Sequence, residues 1–235
     1  MDEARDRAAV WDVDGTLVDT AELHYRAWAE LARGLNRPFT RADFAATFGW
    51  RNPEIIRQLW GTAFTDPEVA ELGERKEELY RTAARKGVDL LPGVRSLLEG
   101  LCAAGFKQAV GSSAPRKNLD LILRLTQTEG FFDAVVSAED TQRGKPDPQV
   151  FLVAAAKLGV PPARCVVLED AVAGVQAAKA GGMRCVAVAF VGHHPEDALR
   201  RAGADLVVKS LEQVTADTVS RLFHPAGAGN QGPGG

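Results

Sequence analysis

The chain has 235 residues, of which 28 are basic and 31 acidic, and its formal net charge is −3 with the two signs mixed along the sequence. This length suits one large domain or one domain with an insertion, and the lack of a basic stripe argues against nucleic acid as a partner. No apolar run is long enough to cross a bilayer, so we expect no membrane partner.

Two features predict a cytoplasmic protein. The first seven residues are charged and lack the apolar stretch of a secretory signal. Cys102, Cys165 and Cys185 are odd in number and show no Cys-x-x-Cys spacing, which is typical of a reducing compartment. The oligomeric state is left open between a monomer and a weak homodimer.

The first predicted strand, residues 8–11, leads directly into two carboxylates. Asp12 and Asp14 are two positions apart, and residues at this spacing on a strand point to the same side of the sheet. Their repulsion is expected to raise the pKa of one of them or to require a cation such as Mg²⁺ between them. Gly15 allows a sharp turn, which leaves Asp12 at the strand end where open α/β sheets bind ligands.

A turn and a calcium loop are the other interpretations of Asp-x-Asp-Gly. The segment is also compatible with an ordinary turn, because Asp and Gly are common turn residues. A calcium loop is excluded, since its glycine is the sixth residue and its glutamate the twelfth, whereas Gly15 is fourth and Leu23 twelfth here.

After the first strand the sequence shows only helical patterns up to about residue 90. The predicted helices are residues 20–35, 41–48, 53–60 and 67–85. This stretch is far longer than an ordinary βα loop of about 2–6 residues. We therefore predict an all-helical cap over residues 19–89 that lies above the carboxylates as a lid.

From about residue 90, short β-rich runs alternate with helical patterns, which predicts an α/β fold with a parallel sheet wrapped on both faces. The predicted strands are residues 106–111, 134–137, 165–168, 184–189 and 205–208. The predicted helices include residues 93–103, 148–158, 171–180 and 196–202. Residues 1–18 and 90–224 thus form the predicted core.

The last segment, residues 225–235, is rich in glycine without apolar periodicity and is predicted to be disordered. It contains a formal G-x-G-x-x-G. We reject this as a nucleotide motif because no strand precedes it closely and no helix follows it.

Three further polar sites follow predicted strands of the sheet. Ser112-Ser113 comes after one strand, Lys145 lies in the stiff segment Gly-Lys-Pro-Asp-Pro, and Glu169-Asp170 ends another strand. Singly, these are compatible with helix N-caps and a solvated lysine. Together, a hydroxyl, a lysine and two acids at one sheet edge favour a site for phosphoryl transfer.

In that site each residue type has a chemical role. Asp12 is the predicted nucleophile, and Asp14 donates and then removes a proton. Lys145 and Ser112 bind phosphate oxygens, while Asp170 completes a Mg²⁺ site. We expect the metal-bound acid to stay ionised and the other to be held protonated as a donor.

At this point the chain resembles the haloacid dehalogenase-like (HAD) hydrolases from about Ala8 to Ala189. The motifs that carry the resemblance are Asp12–Thr20, Ser112, Lys145 and the segment Leu168–Val175. The resemblance implies a Rossmann-like core with a helical cap, a Mg²⁺ cofactor and an aspartyl-phosphate intermediate. It also implies metal ligation by Asp12 and Asp170 side chains and by the Asp14 backbone carbonyl, and we include Glu169 among the candidate ligands.

Asp14 points away from the family's dehalogenases and phosphonate hydrolases, which lack a second aspartate at this position. Phosphate esters remain, cleaved by a phosphatase or transferred by a mutase resembling β-phosphoglucomutase. The segment Thr20–Trp28 is similar to that of the mutase, and His24 would position Asp14 or couple cap closure to it. A polar residue at a hinge helix is the alternative for His24.

The cap sequence favours the phosphatase. The mutase carries a Lys-Gly-x-x-Arg loop for a second phosphate, whereas residues 48–52 here read Phe-Gly-Trp-Arg-Asn. The candidate substrate-binding residues are His24, Trp50, Arg51, Lys76 and Ser113. Aromatic cap core and a solvated helix face are the alternatives for Trp50 and Lys76, respectively.

We therefore predict a Mg²⁺-dependent phosphatase acting on a small phosphorylated metabolite, with a sugar phosphate as the expected substrate. The first alternative is a β-phosphoglucomutase-like phosphotransferase. The second is a catalytically inactive binding or regulatory protein. This alternative is disfavoured because the side chains with predicted catalytic or metal-binding roles are all present, namely Asp12, Asp14, Ser112, Lys145 and Asp170.

Overall fold

A computed structural model describes residues 7–223 of the chain. The predicted disordered tail, residues 225–235 with its G-x-G-x-x-G, and most of the charged N-terminal segment lie outside the described residues. Among the described helices, none combines the length and apolar character needed to cross a membrane.

Six parallel strands form one sheet in the order β3-β2-β1-β4-β5-β6. The strands are β1 (Ala8–Trp11), β2 (Lys107–Gly111), β3 (Ala134–Val136), β4 (Cys165–Glu169), β5 (Arg184–Val188) and β6 (Leu206–Val208). The predicted α/β class with a Rossmann-like parallel sheet is confirmed. Cys165 and Cys185 lie buried in β4 and β5.

Both faces of the sheet are covered by helices. Along β1, Ala9 and Trp11 belong to one buried apolar cluster, whereas Ala8 and Val10 belong to the other. This alternation arises because successive strand residues point to opposite faces. All four residues are buried, as expected for a central strand of a parallel sheet.

Ten α-helices are described within residues 7–223. Four of them form a helical insertion between β1 and α5 (Val94–Ala103): α1 (Ala21–Gly34), α2 (Arg41–Thr47), α3 (Asn52–Trp60) and α4 (Asp66–Ala84). The others are α5 itself, α6 (Arg116–Leu125), α7 (Gln149–Leu158), α8 (Val172–Ala180), α9 (Glu196–Arg201) and α10 (Ala216–Arg221). The sequence prediction did not name α6 or α10.

The helical insertion, residues 21–84, has an apolar cluster of its own that includes Trp28, Leu31, Ile56 and Trp60. The two chain segments that join it to the sheet run side by side. Val18 and Leu90 form an antiparallel bridge, and the Leu91 amide donates to the Leu17 carbonyl at 2.9 Å. The insertion thus begins and ends at one place, directly beyond the end of β1.

Candidate active site

The carboxyl ends of β2, β1 and β4 meet at one edge of the sheet, because these three strands are neighbours. Asp12 follows β1, and its amide donates to the Leu168 carbonyl of β4 at 3.0 Å. Ser112 follows β2, and its amide donates to the Val136 carbonyl of β3 at 3.1 Å. The hydrogen bonds between neighbouring strands therefore continue one residue beyond the strand ends and hold the backbone of Asp12 and Ser112 in place.

Lys145 reaches this edge from the loop before α7 and lies between two carboxylates. Its Nζ is 2.7 Å from Asp12 Oδ1 and 2.5 Å from Glu169 Oε1. Burial disfavours the charge of the lysine, but the two carboxylates outweigh burial and raise the pKa of Lys145 above its ordinary value. Lys145 is therefore a protonated, fixed cation.

Asp12, Glu169 and Asp170 form an acidic cluster, and all three are buried. Carboxylate oxygens from the three lie within 4.8 Å of one another. Burial, together with Glu169 and Asp14, raises the pKa of Asp12 to about 7 against the opposing effect of Lys145. Burial and the neighbouring Glu169 and Asp12 carboxylates also raise the pKa of Asp170.

The charges of this cluster do not balance. Three carboxylates face the single ammonium of Lys145, so full ionisation would leave an excess of two negative charges in a buried site. A divalent cation that prefers oxygen ligands would compensate this excess. The donor set therefore fits Mg²⁺, with Asp12 and Asp170 as the carboxylates that could hold it.

Both oxygens of Glu169 already have hydrogen-bond donors. Glu169 Oε2 accepts from the amides of Asp170 and Ala171 at 2.7 and 2.6 Å, and Oε1 accepts from Lys145. This arrangement holds the turn after β4 and orients the lysine. The metal-ligand role expected for Glu169 stays a prediction.

Two glycines make room for the acids. A Cβ at Gly15 would overlap the Asp170 carboxylate, and the φ of +88° at Gly15 is itself unfavourable for other residues. A Cβ at Gly174 on α8 would overlap the Glu169 carboxylate. The close approach of backbone to carboxylate at both places requires glycine.

Asp14 lies apart from the acidic cluster and faces the start of α1. Strand β1 ends at Trp11, so the strand alternation expected for Asp12 and Asp14 does not apply, and Asp14 forms an isolated bridge with Val18 beyond the strand. Its Oδ1 accepts a hydrogen bond from Thr20 Oγ1 and lies 3.4 Å from His24 Nε2. Burial by itself would raise the pKa of Asp14, but these contacts outweigh burial and lower the pKa below its ordinary value. The lowered pKa corresponds to an ionised Asp14, which differs from the expected protonated donor.

His24 on α1 lies between Asp14 and α4. Its ring stacks on Tyr80 with the centroids 4.1 Å apart, and its Nδ1 is 2.7 Å from Lys76 Nζ. Lys76 is buried and pairs with Glu77 at 2.8 Å. The alternative of a solvated helix face for Lys76 is therefore wrong, since helix packing covers this side chain.

The other candidate substrate-binding residues have different surroundings. Arg51 donates from Nη1 to the carbonyls of Thr141 and Gln142 at 3.2 and 3.3 Å, and from Nη2 to Thr141 Oγ1 at 2.5 Å. These contacts connect the insertion to the loop that carries Lys145. Trp50 is 47% exposed, so the aromatic-core alternative does not describe it.

The two serines after β2 occupy the start of the next loop. Ser112 is buried and its Oγ accepts a hydrogen bond from the Ala114 amide at 3.1 Å, while Ser113 is half-buried. The phosphate-binding roles expected for Ser112 and Ser113 stay predictions.

Sequence reasoning missed Glu77 and Asn118, which extend the contacts around His24. Asn118 Nδ2 on α6 donates to Glu77 Oε2 at 2.6 Å. Neither residue stands in a motif. Their 41-residue separation gives no signal of contact.

Several known proteins are similar to this chain in sequence. The family model described as haloacid dehalogenase-like hydrolase matches residues 7–182. "Beta-phosphoglucomutase" of Bacillus subtilis is 36% identical over 225 residues, which cover 93% of this chain and 94% of that protein. "Hexitol phosphatase B" of Escherichia coli K12 is 34% identical over 215 residues, which cover 89% and 94%.

A solved structure is also similar to this chain. The crystal structure of β-phosphoglucomutase from Clostridium difficile superposes with a TM-score of 0.84 at 27% identity, covering 92% of this chain and 96% of that one. The chain belongs to the haloacid dehalogenase-like hydrolases and is an enzyme of that family.

Proposed function

We propose that the protein is a Mg²⁺-dependent phosphatase that hydrolyses a small phosphomonoester, with a sugar phosphate as the expected substrate. The observation that carries the proposal is the pairing of Asp12 with Lys145 inside a buried cluster with an excess of carboxylates. The names of the relatives, a phosphoglucomutase and a hexitol phosphatase, support a phosphorylated sugar. We also propose that the protein is cytoplasmic and that it is a monomer or a weak homodimer.

The first chemical step uses Asp12 as a nucleophile. A carboxylate oxygen of Asp12 attacks phosphorus, the bond to the ester oxygen breaks, and an aspartyl phosphate forms on Asp12. Asp12, Asp170 and the Asp14 carbonyl would hold Mg²⁺, which when bound would supply stabilisation of the negative charge on the phosphate oxygens. Lys145 also stabilises the charge that spreads over these oxygens.

Asp14 handles the protons in both steps. The leaving alkoxide needs a proton, which Asp14 donates from its acid form, and the second step returns a proton to Asp14, so that each turnover restores this form. In the second step the ionised Asp14 removes a proton from the water that attacks the aspartyl phosphate. The lowered pKa of Asp14 corresponds to an ionised carboxylate, which is the protonation state that this second, basic role needs.

The cap cations favour hydrolysis over a mutase reaction. A mutase must hold a second phosphate, yet Arg51 binds carbonyls of the 141–142 loop and Lys76 binds Glu77 and His24. Segment 48–52 also lacks the lysine of the mutase loop. The identity to β-phosphoglucomutase keeps a phosphotransferase as the second candidate function.

The test is phosphate release from a panel of sugar phosphates, alkyl phosphates and p-nitrophenyl phosphate, with Mg²⁺ and with EDTA. We expect turnover that requires Mg²⁺ and that falls by more than about 10⁴-fold in Asp12→Asn. Undiminished turnover in this variant would exclude Asp12 as the nucleophile. Absence of turnover on every ester would favour the non-catalytic alternative.

The second candidate has its own assay. β-Glucose 1-phosphate is incubated with catalytic β-glucose 1,6-bisphosphate. Formation of glucose 6-phosphate without net phosphate release would identify a mutase, whereas release of phosphate supports the phosphatase.

A further inference from the structure

A second group of buried charges lies in the helical insertion, outside the acidic cluster. Its centre is Glu77 on α4, whose side chain is 3% exposed. Glu77 Oε1 accepts hydrogen bonds from Lys76 Nζ and Asn52 Nδ2, both at 2.8 Å, and Oε2 accepts from Asn118 Nδ2 at 2.6 Å. We call Glu77, Lys76, Asn52 and Asn118 the Glu77 hub.

The Glu77 hub joins three helices. Asn52 begins α3, Glu77 and Lys76 lie on α4, and Asn118 lies on α6. The amide oxygen of Asn118 in turn accepts from Arg81 Nη1 at 3.1 Å, which returns the network to α4. A buried carboxylate with this many donors resists displacement, because losing any partner leaves a desolvated polar group unpaired.

Lys76 depends on Glu77 for its position. The ammonium is buried, and a buried ammonium without a counter-ion is strongly disfavoured. The charge of Glu77 persists over a wide pH range: burial opposes ionisation, but Lys76, His24 and Asn118 lower the pKa of Glu77 to about 2. Glu77 therefore keeps Lys76 inside the insertion and next to His24.

Lys76 in turn determines the tautomer of His24. An ammonium group only donates hydrogen bonds, so His24 Nδ1, 2.7 Å from Lys76 Nζ, must be the acceptor. The ring proton then resides on Nε2, which faces Asp14 Oδ1 at 3.4 Å. The stacking of the ring on Tyr80 prevents the ring from turning away.

We propose that Glu77 is a positioning residue for proton transfer by Asp14, acting through Lys76 and His24 and anchored to α6 by Asn118. This inference rests on the proposed function, because it assumes that Asp14 protonates the leaving group. It assigns to a residue outside every family motif the task of placing the general acid. Glu77 itself does not contact the reacting atoms.

The test compares two esters that differ in their need for an acid. Glucose 6-phosphate releases an alkoxide that needs a proton, whereas p-nitrophenyl phosphate releases a stable phenolate that does not. The constant kcat/KM reports the steps up to departure of this group and excludes later hydrolysis of the aspartyl phosphate. A defect in acid positioning therefore lowers kcat/KM for glucose 6-phosphate alone.

For Glu77→Gln we expect kcat/KM toward glucose 6-phosphate to fall by about 10²-fold, with p-nitrophenyl phosphate changed by less than about threefold. The matched control is Glu71→Gln, which removes the same charge from an exposed position of α4. The control is expected to leave both constants within about twofold of the wild type. Thermal unfolding of each variant is measured in parallel.

If Glu77→Gln does not fold, Asn118→Ala carries the test, since it removes one anchor without leaving Lys76 unpaired. We expect the same selective loss at a smaller size, about fivefold. An equal loss on both esters, or no loss on either, in a folded variant would overturn the inference. Turnover that survives Asp12→Asn would instead overturn the proposed function, and the inference with it.

Discussion

Two buried groups of charges, the acidic cluster and the Glu77 hub, differ in their balance of positive and negative charge. In the acidic cluster, Lys145 faces three carboxylates, and the pKa of Asp12 rises to about 7. In the Glu77 hub, one ammonium faces one carboxylate, and the pKa of Glu77 falls to about 2. The excess of negative charge in the acidic cluster creates a demand for a cation, whereas the balanced charges of the Glu77 hub hold helices and a histidine in place.

The largest expected effect comes from removing the cation of the acidic cluster. Lys145→Met leaves the three carboxylates without compensation and removes the proposed donor to phosphate, so we expect kcat to fall by about 10³-fold. Steady-state phosphate release measures this change. The control Lys157→Met removes a half-exposed ammonium on α7 that pairs with Asp140, and it is expected to change kcat little.

A retained kcat in Lys145→Met would show that Lys145 only balances charge in the metal-free cluster. The acidic cluster and the Glu77 hub would then differ in charge balance without differing in their part in the reaction.

The second effect concerns the space around Glu169. Gly174→Ala places a methyl group on the Glu169 carboxylate, and we expect a loss of about 2–3 kcal/mol in the free energy of unfolding and a displaced Lys145. The matched control is Gly100→Ala on α5, where a new Cβ meets only Ala216 Cβ at 3.9 Å. This change is expected to stabilise the protein by up to about 1 kcal/mol.

Urea unfolding of both alanine variants checks this pair. Equal stabilities would contradict the close packing of α8 on the Glu169 carboxylate.

The third effect is the acid sensitivity of the Glu77 hub. Because the pKa of Glu77 is lowered, its contribution to stability is complete above the unfolded value of 4.5 and is lost as pH falls toward about 2. Relative to Glu77→Gln, the wild type should lose about 2 kcal/mol between pH 6 and pH 3. Urea unfolding at the two pH values measures this difference, and parallel losses in both proteins would refute it.

The smallest effect is the pH dependence of metal binding at the acidic cluster. Below pH 7 a proton on Asp12 competes with Mg²⁺, so apparent affinity should fall up to about tenfold per pH unit and level off above pH 7. Calorimetric titration with Mg²⁺ at pH 5.5, 6.5 and 7.5 checks this. An affinity independent of pH would mean that Asp12 is already ionised without the metal.

The fold was predictable because its signals are local. Each strand is a short β-rich run bounded by turn residues, and the observed strand bounds differ from the predicted ones by one residue at most. The parallel order of β2, β1 and β4 then brings Asp12, Ser112 and Asp170 to one edge without further information. Glycines at 15 and 174 agree with this arrangement, since they admit the carboxylates.

The contacts of the insertion were not predictable in the same way. The sequence marked His24 and Lys76 but could not show that Lys76 is buried or that Arg51 binds the 141–142 loop. The position of Asp14 also depended on where β1 ends, at Trp11.

The amino-acid sequence by itself thus determined the α/β class, the helical insertion and the candidate nucleophile, because periodicity and motif order are properties of neighbouring residues. The tertiary structure alone decided which charges are paired. Glu77 and Asn118 are 41 positions apart on helices that carry no mark of each other, and only the packing of α4 on α6 brings their side chains to 2.6 Å. Burial then converts that proximity into a strong interaction, because water no longer screens it.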